Sequence, residues 1–231
     1  MLKKMVVTVM PLQYVKIPYQ LLKYKGFDNK GADMTKYVYV AILKHRQGDN
    51  NKVTVNMTVL EKITGITRTN ITLHINRLIE HNFIDRSHQV YGWDEFGINT
   101  YTLNCPEEKF SMIPYAIAYD MEIDKKDVIA YANIKRIMDL RRTDKKVFAT
   151  KEELTEAFQC SENNVDKIKR RLKEIGLINF ERKSKAIELT WELDNFSEVK
   201  RIKYNRKQHV EKTVKSKNGK EVKANENANI V

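Results

Sequence analysis

The sequence is poor in cysteine, in long apolar runs and in the glycine patterns that cradle phosphates, and each shortage removes a class of function. Its two cysteines, Cys105 and Cys160, sit in different contexts and suggest no disulfide framework, which points to a reducing, cytosolic setting. The longest apolar stretches, residues 5–10 and 38–43, fall far short of the roughly 20 residues that span a bilayer, so no membrane partner is expected. Two lysines precede the first of these runs. Pro11 interrupts it and no small-residue cleavage site follows, which argues against a secretory leader. The eight glycines are scattered, mostly at turns. Neither Gly-x-x-x-x-Gly-Lys nor Gly-x-Gly-x-x-Gly occurs, so no ATPase or dinucleotide site is expected. His74 and His81 lie seven residues apart with no cysteine or carboxylate pair to complete a metal site. No Ser-His-Asp or Cys-His arrangement can be argued from the spacings, and the eleven tyrosines come without the histidine-rich cluster that a nicking nuclease needs. The expectation is a protein that binds and does not catalyse, with no cofactor and no metal.

What the chain has in excess is positive charge. Forty-two Lys and Arg against 30 Asp and Glu leave +12 over 231 residues, a surplus that suggests a polyanionic partner. Its distribution is uneven: from Lys200 onward ten cations face three glutamates, so the tail holds +7 of the total. After Phe196 almost no apolar residues are spaced to build a face, and residues 194–231 are expected to form a disordered basic tail. Such a tail is a solubiliser or a phosphate-seeking arm.

An internal repeat organises the rest. A shift of 94 residues aligns residues 53–84 with 147–178 without a gap, placing Leu60 on Leu154, Asn70 on Asn164, Arg77 on Arg171, Leu78 on Leu172 and Ile84 on Ile178. The same shift pairs Tyr37 with Tyr131 and Val40 with Ile134, and Ile17-Pro-Tyr19 recurs as Ile113-Pro-Tyr115, two residues out of register. Two copies of one unit therefore occupy residues 15–104 and 110–193. In the first, Asp33 is placed to cap a helix over 34–46 with Tyr37, Val40, Ala41 and Leu43 along one side. A short strand at 53–55 follows, then a helix over 57–64 capped by Asn56, a tight turn at Gly65-Ile66-Thr67, and a third helix over 68–81. A strand then leaves Phe83-Ile84, and another returns over 100–103. In the second copy Thr150 and Glu153 form a capping box, Gln159-Cys160-Ser161 replaces the glycine turn, and Gly176 ends the third helix. The hairpin runs from 177–182 to 186–191. The fold class expected is mainly α with small β-hairpins.

Helix, short strand, helix, turn, helix and hairpin is the order of a winged helix-turn-helix. Leu172-Lys-Glu-Ile-Gly-Leu-Ile178 and residues 78–84 resemble the recognition-helix-to-wing junction of bacterial winged-helix DNA-binding proteins. The opening Ile17-Pro-Tyr-Gln-Leu-Leu22 and Met34-Thr-Lys-Tyr-Val-Tyr-Val-Ala-Ile-Leu43 are similar to the start of replication initiators from Gram-positive plasmids and phages, with Ile-Pro-Tyr where those more often have Ile-Pro-Lys. The resemblance implies two winged-helix domains in tandem that bind repeated sites in double-stranded DNA at an origin.

In a helix-turn-helix the third helix enters the major groove. With Val165, Ile168 and Leu172 inward, Asn163, Lys167 and Arg170 point out on the second unit's third helix, with Arg171 beside them and Arg182, Lys183 and Lys185 on the wing. These are groups that read adenine edges, contact phosphates and read guanine edges. The first unit offers Thr69, Leu73 and Asn76, flanked by Arg68, Asn70 and Arg77. An exposed Leu73 would meet a thymine methyl or mark a domain or homodimer interface. The loop over 88–97 is either a wing or a packing strap. A linker of only six residues, 104–109, should hold both units on one asymmetric site of about two helical turns. The alternatives to an initiator are a transcription regulator of the same fold and an adaptor that docks a helicase or another replication protein.

Overall fold

In the computed structural model, residues 13–27, 31–47, 50–89, 98–105, 109–143, 146–180 and 186–190 are described. One series of elements occurs twice. The first pass runs β1 (Tyr14–Pro18), α1 (Tyr19–Lys23), α2 (Ala32–Leu43), β2 (Lys52–Val55), α3 (Met57–Thr64), α4 (Arg68–Glu80), β3 (Ile84–Gln89) and β4 (Ile98–Leu103). The second runs β5 (Phe110–Pro114), α5 (Tyr115–Ala118), α6 (Lys125–Leu140), β6 (Lys146–Phe148), α7 (Lys151–Phe158), α8 (Glu162–Glu174), β7 (Ile178–Phe180) and β8 (Ala186–Leu189). A 94-residue shift carries α3 onto α7 and α4 onto α8 end to end. Each pass closes with a three-stranded antiparallel sheet in which the last strand lies in the middle, β2-β4-β3 and β6-β8-β7. Ile84 lies opposite Leu103, and Ile178 opposite Leu189.

Local chemistry explains why the elements stop where they do. The Asn56 side chain accepts from the Val59 amide at 2.8 Å, and Thr150 and Glu153 form the reciprocal capping box, so α3 and α7 both begin on satisfied donors. The turns after them need a left-handed residue. Gly65 supplies it at φ +71°, and Gln159, at the related position, adopts +52°. A side chain there costs about 1–2 kcal/mol. Gln159 offsets that cost, because its amide donates to the backbone oxygens of Lys23 and Tyr24 at 3.3 and 3.0 Å. Asn82 and Gly176 form a second left-handed pair. Past them the Phe83 and Leu177 amides return to Leu78 and Leu172 at 2.8 and 2.9 Å, which aims the chain into β3 and β7.

Two expectations need correction. Asp33 does not cap α2. Gly31 is the cap residue, at a φ of +100° that suits glycine, and Asp33 lies in the first turn. Nor does α2 bury only one side: every residue from 35 to 43 is buried, because α6 covers the face that would otherwise be wet. Lys36 is included. Its ammonium donates to the Leu22 oxygen at 3.0 Å, and burial pushes its pKa down to about 8.

The two units are joined by much more than the linker. Strand β1 pairs antiparallel with β5, its counterpart, and the middle residue Lys16 lies opposite its own equivalent, Met112. The flanking bonds obey the same exchange: Tyr19 donates its amide to the Lys109 oxygen at 3.0 Å, and Tyr115 donates to the Gln13 oxygen at 2.9 Å. A local two-fold axis therefore passes through this ribbon. Behind it α2 packs on α6. Tyr37 Oη donates to the Ala118 oxygen, and Tyr119 Oη donates to the Val40 oxygen, both at 2.9 Å. One continuous apolar core runs from Val15 to Leu189. No described helix is long and apolar enough to cross a membrane.

Candidate nucleic-acid interface

Helix α8 is fixed to the body by Val165 and Leu172, both fully buried, with Ile168 and Ile175 partly covered. That leaves Asn163, Lys167 and Arg170 exposed, spaced by about one turn. Arg170 Nε donates to the Asp166 oxygen of its own helix at 3.2 Å. The face also carries acid: Lys151 lies 3.7 Å from Glu162 and 3.4 Å from Asp166. Lys151 thus offsets part of the negative charge beside Asn163 and Lys167.

Two further cations emerge that helical period alone does not single out. Lys169 and Lys173 lie over the Phe180 ring at 4.5 and 5.1 Å, and Lys173 also donates to the Phe180 oxygen at 2.9 Å. Their spacing of four residues, with an aromatic at the root of the hairpin, is the signal in the sequence that marks them.

Arg171 belongs elsewhere. Its Nη2 and Nε donate to Asp127 Oδ1 of α6 at 2.7 and 3.1 Å, and the Asp127 side chain is only 5% exposed. Burial raises the Asp127 carboxyl above its usual range, and the guanidinium opposes that rise. Next to buried Leu172, Arg171 sits on the flank that meets α6. It anchors the helix and is not a free cation of the outer face. Arg182, Lys183 and Lys185 lie outside the described residues, as do the loop over 90–97 and everything after 190.

On α4, Ile71, Ile75 and Leu78 are buried, while Thr69, Asn70 and Asn76 are exposed and Leu73 is 48% exposed. Its two arginines are engaged with the protein. Arg68 bonds Glu61 at 3.0 Å and Thr58 Oγ1 at 2.6 Å, tying α4 to α3. Arg77 is half-buried against the start of α2, where a methyl on Gly31 would lie 3.4 Å from its guanidinium. Both histidines serve packing. Thr35 Oγ1 and His74 Nδ1 are 2.8 Å apart, Tyr24 Oη and His81 Nδ1 are 2.7 Å apart, and burial lowers the His74 pKa. Among the described residues no group of three His, Cys, Asp or Glu is placed to hold a metal.

The candidate surface is thus two helices at equivalent places in the repeat with unlike exposed side chains, α8 carrying an amide and two exposed cations, α4 a hydroxyl, amides and an apolar side chain. No known protein-family model matches the chain, and no curated protein matches it significantly.

Proposed function

We propose that this protein binds double-stranded DNA sequence-specifically through two tandem winged helix-turn-helix units, with α8 as the principal reading helix and α4 as the second. The observation that carries the reading is the row Asn163, Lys167 and Arg170, exposed on a helix that follows a tight turn and leads into a hairpin. Arg reads guanine bidentately, Asn reads adenine, and Lys neutralises phosphate, so the row combines base readout with positioning. On α4, Thr69 and Asn76 offer hydroxyl and amide groups, and Leu73 suits a thymine methyl.

The local two-fold axis refines the kind of site. The β1-β5 ribbon sets the two copies antiparallel, so in this reading a duplex that meets both helices meets them in opposite orientations. The half-sites then point toward each other, about 10 base pairs apart, and differ in sequence because α4 and α8 differ in side chains. The expected site keeps its asymmetry of sequence and gains an inverted orientation.

The similarity of residues 17–43 to plasmid and phage replication initiators favours origin binding, with a helicase or another replication protein as the downstream partner. A transcription regulator of the same architecture is the alternative, and it differs in placing its site in a promoter. Selection from random duplexes with the full chain tests the reading. Enrichment of one motif, found as repeats near the protein's own gene, supports an initiator, and a single copy over a promoter supports a regulator. Recovery of unenriched sequence overturns specific binding.

A further inference from the structure

Between the units lies a groove of about 460 Å³ built from both: Lys23 and Lys25 from the end of α1 and the residues after it, and Arg136, Arg141, Glu153 and Glu156 from α6, α7 and the residue after α6. The two carboxylates are already engaged, since Lys25 lies 3.2 Å from Glu156 and Arg141 pairs with Glu153. Arg136 and Lys23 remain. Arg136 is only 8% exposed, and its Nε donates to Asn133 Oδ1 at 3.4 Å. No described carboxylate comes within ion-pair distance of it. Burial lowers its pKa, and charge interactions with Tyr19 and with Glu156 of the same groove oppose that. A guanidinium held out of water without a carboxylate is costly.

The local axis supplies an internal control. The position related to Arg136 is Ile42, fully buried in the core. The position related to Lys23 is Tyr119, whose hydroxyl donates to the Val40 oxygen and whose ring lies under Lys44 at 4.9 Å. On that side both related residues are taken up in packing. On the other side the chain keeps an arginine and a lysine lining the groove.

We infer that this groove binds a phosphoryl group, with the Arg136 fork and the Lys23 ammonium as its ligands. A planar guanidinium matches two phosphate oxygens at once, and Ile137 and Leu140 give an apolar wall beside it. Occupancy ties α1 of the first unit to α6 of the second. The phosphoryl group belongs either to a free nucleotide or to the DNA backbone, and the test separates the two sources.

Full chain is titrated calorimetrically with inorganic phosphate and with adenosine monophosphate, alongside Arg136→Ile and Lys23→Gln. Arg136→Ile installs the residue that the related position already tolerates, and Lys23 is exposed, so retained far-ultraviolet dichroism is expected for both. Saturable binding weakened at least tenfold in both variants assigns the groove to a free phosphate. No saturable binding, together with an equal loss of affinity for all duplexes and a salt slope reduced by about one in Arg136→Ile, assigns it to a DNA phosphate. Folded variants that change neither the titrations nor the salt slope overturn the inference. If the chain binds no duplex at all, the phosphate titration decides alone.

Discussion

Helices α4 and α8 have the same length, follow the same kind of turn and lead into the same kind of hairpin, yet their outer surfaces share little chemistry. Most buried positions agree, Ile71 with Val165, Leu78 with Leu172 and Ile84 with Ile178, while the buried Ile75 is matched by Lys169 over the Phe180 ring. The left-handed positions agree as well, Gly65 with Gln159 and Asn82 with Gly176. Three exposed positions part company, Thr69 against Asn163, Leu73 against Lys167 and Asn76 against Arg170, while the exposed Asn70 and Asn164 agree. The duplicated positions are mostly those that fold, and the row proposed to touch a partner mostly differs. The comparison also divides the arginines. Arg77 and Arg171 are equivalent, and both turn toward the preceding long helix of their unit, the first beside Gly31 and the second onto Asp127. Their agreement marks a structural position, and the disagreement at Asn76 and Arg170 marks an adaptable one.

The largest effect should come from breaking the shared core in either half. Leu78→Ala and Leu172→Ala each remove a fully buried side chain and should cost about 2–5 kcal/mol. Because α2, α6 and the β1-β5 ribbon form one core, both variants should shift a single denaturation transition followed by circular dichroism. Two separable transitions, only one of them moved, would show that the units are independent.

Next is the division of labour between the helices. Lys167→Ala with Arg170→Ala should weaken specific binding by about 1–3 kcal/mol for each base that is no longer read. Thr69→Ala with Asn76→Ala should cost less and leave the preferred motif largely unchanged. Equal losses in a gel-shift titration, or a larger loss from the α4 pair, would reverse the assignment of the principal reader.

A smaller effect tests the anchor. Arg171→Met should destabilise the fold by about 1–2 kcal/mol at neutral pH, since it strips a charge-assisted bond from a buried carboxylate, discounted for the exposure of Arg171. The sign with pH follows from Asp127. Its carboxyl is raised in the folded state, so it binds a proton more tightly there, and stability falls as pH rises above the ordinary aspartate range. Losing Arg171 raises the carboxyl further. The deficit of the variant should therefore be largest near pH 7 and shrink as pH falls toward that range. A deficit independent of pH in urea titrations would place the loss in packing instead.

The smallest effect separates the two turns. Gly65→Ala meets no neighbour within 4 Å of its new Cβ, so only the left-handed backbone opposes it, at about 1 kcal/mol. A loss above roughly 3 kcal/mol would exceed what backbone conformation alone costs at such a position.

The sequence reveals the elements of this fold better than their assembly. Caps and left-handed turns are local, so Asn56, the Thr150–Glu153 box and the Gly65 and Gln159 turns could be read from a few neighbouring residues. The burial of α2 on all sides could not, because α6 lies about 90 residues away and nothing in Val38, Tyr39 or Ile42 says what covers them. The Ile-Pro-Tyr repeat was visible, but that its two copies pair with each other about an axis is a long-range fact of only five residues per strand. At the candidate site, the outward row of α8 followed from helical period alone. The inward turn of Arg171 did not, because its direction is set by a carboxylate on another helix. The groove around Arg136 was illegible for the same reason, its walls coming from both units.

The most direct test is a hydroxyl-radical footprint of the full chain on its selected duplex. Two protected backbone regions are expected on one face, centred about 10 base pairs apart, within a site of about two helical turns bound by one monomer. Removing Lys167 and Arg170 should abolish one region first. A single protected region shorter than about 12 base pairs would contradict that expectation, leaving α4 off the DNA and its exposed Leu73 as a contact for a protein partner.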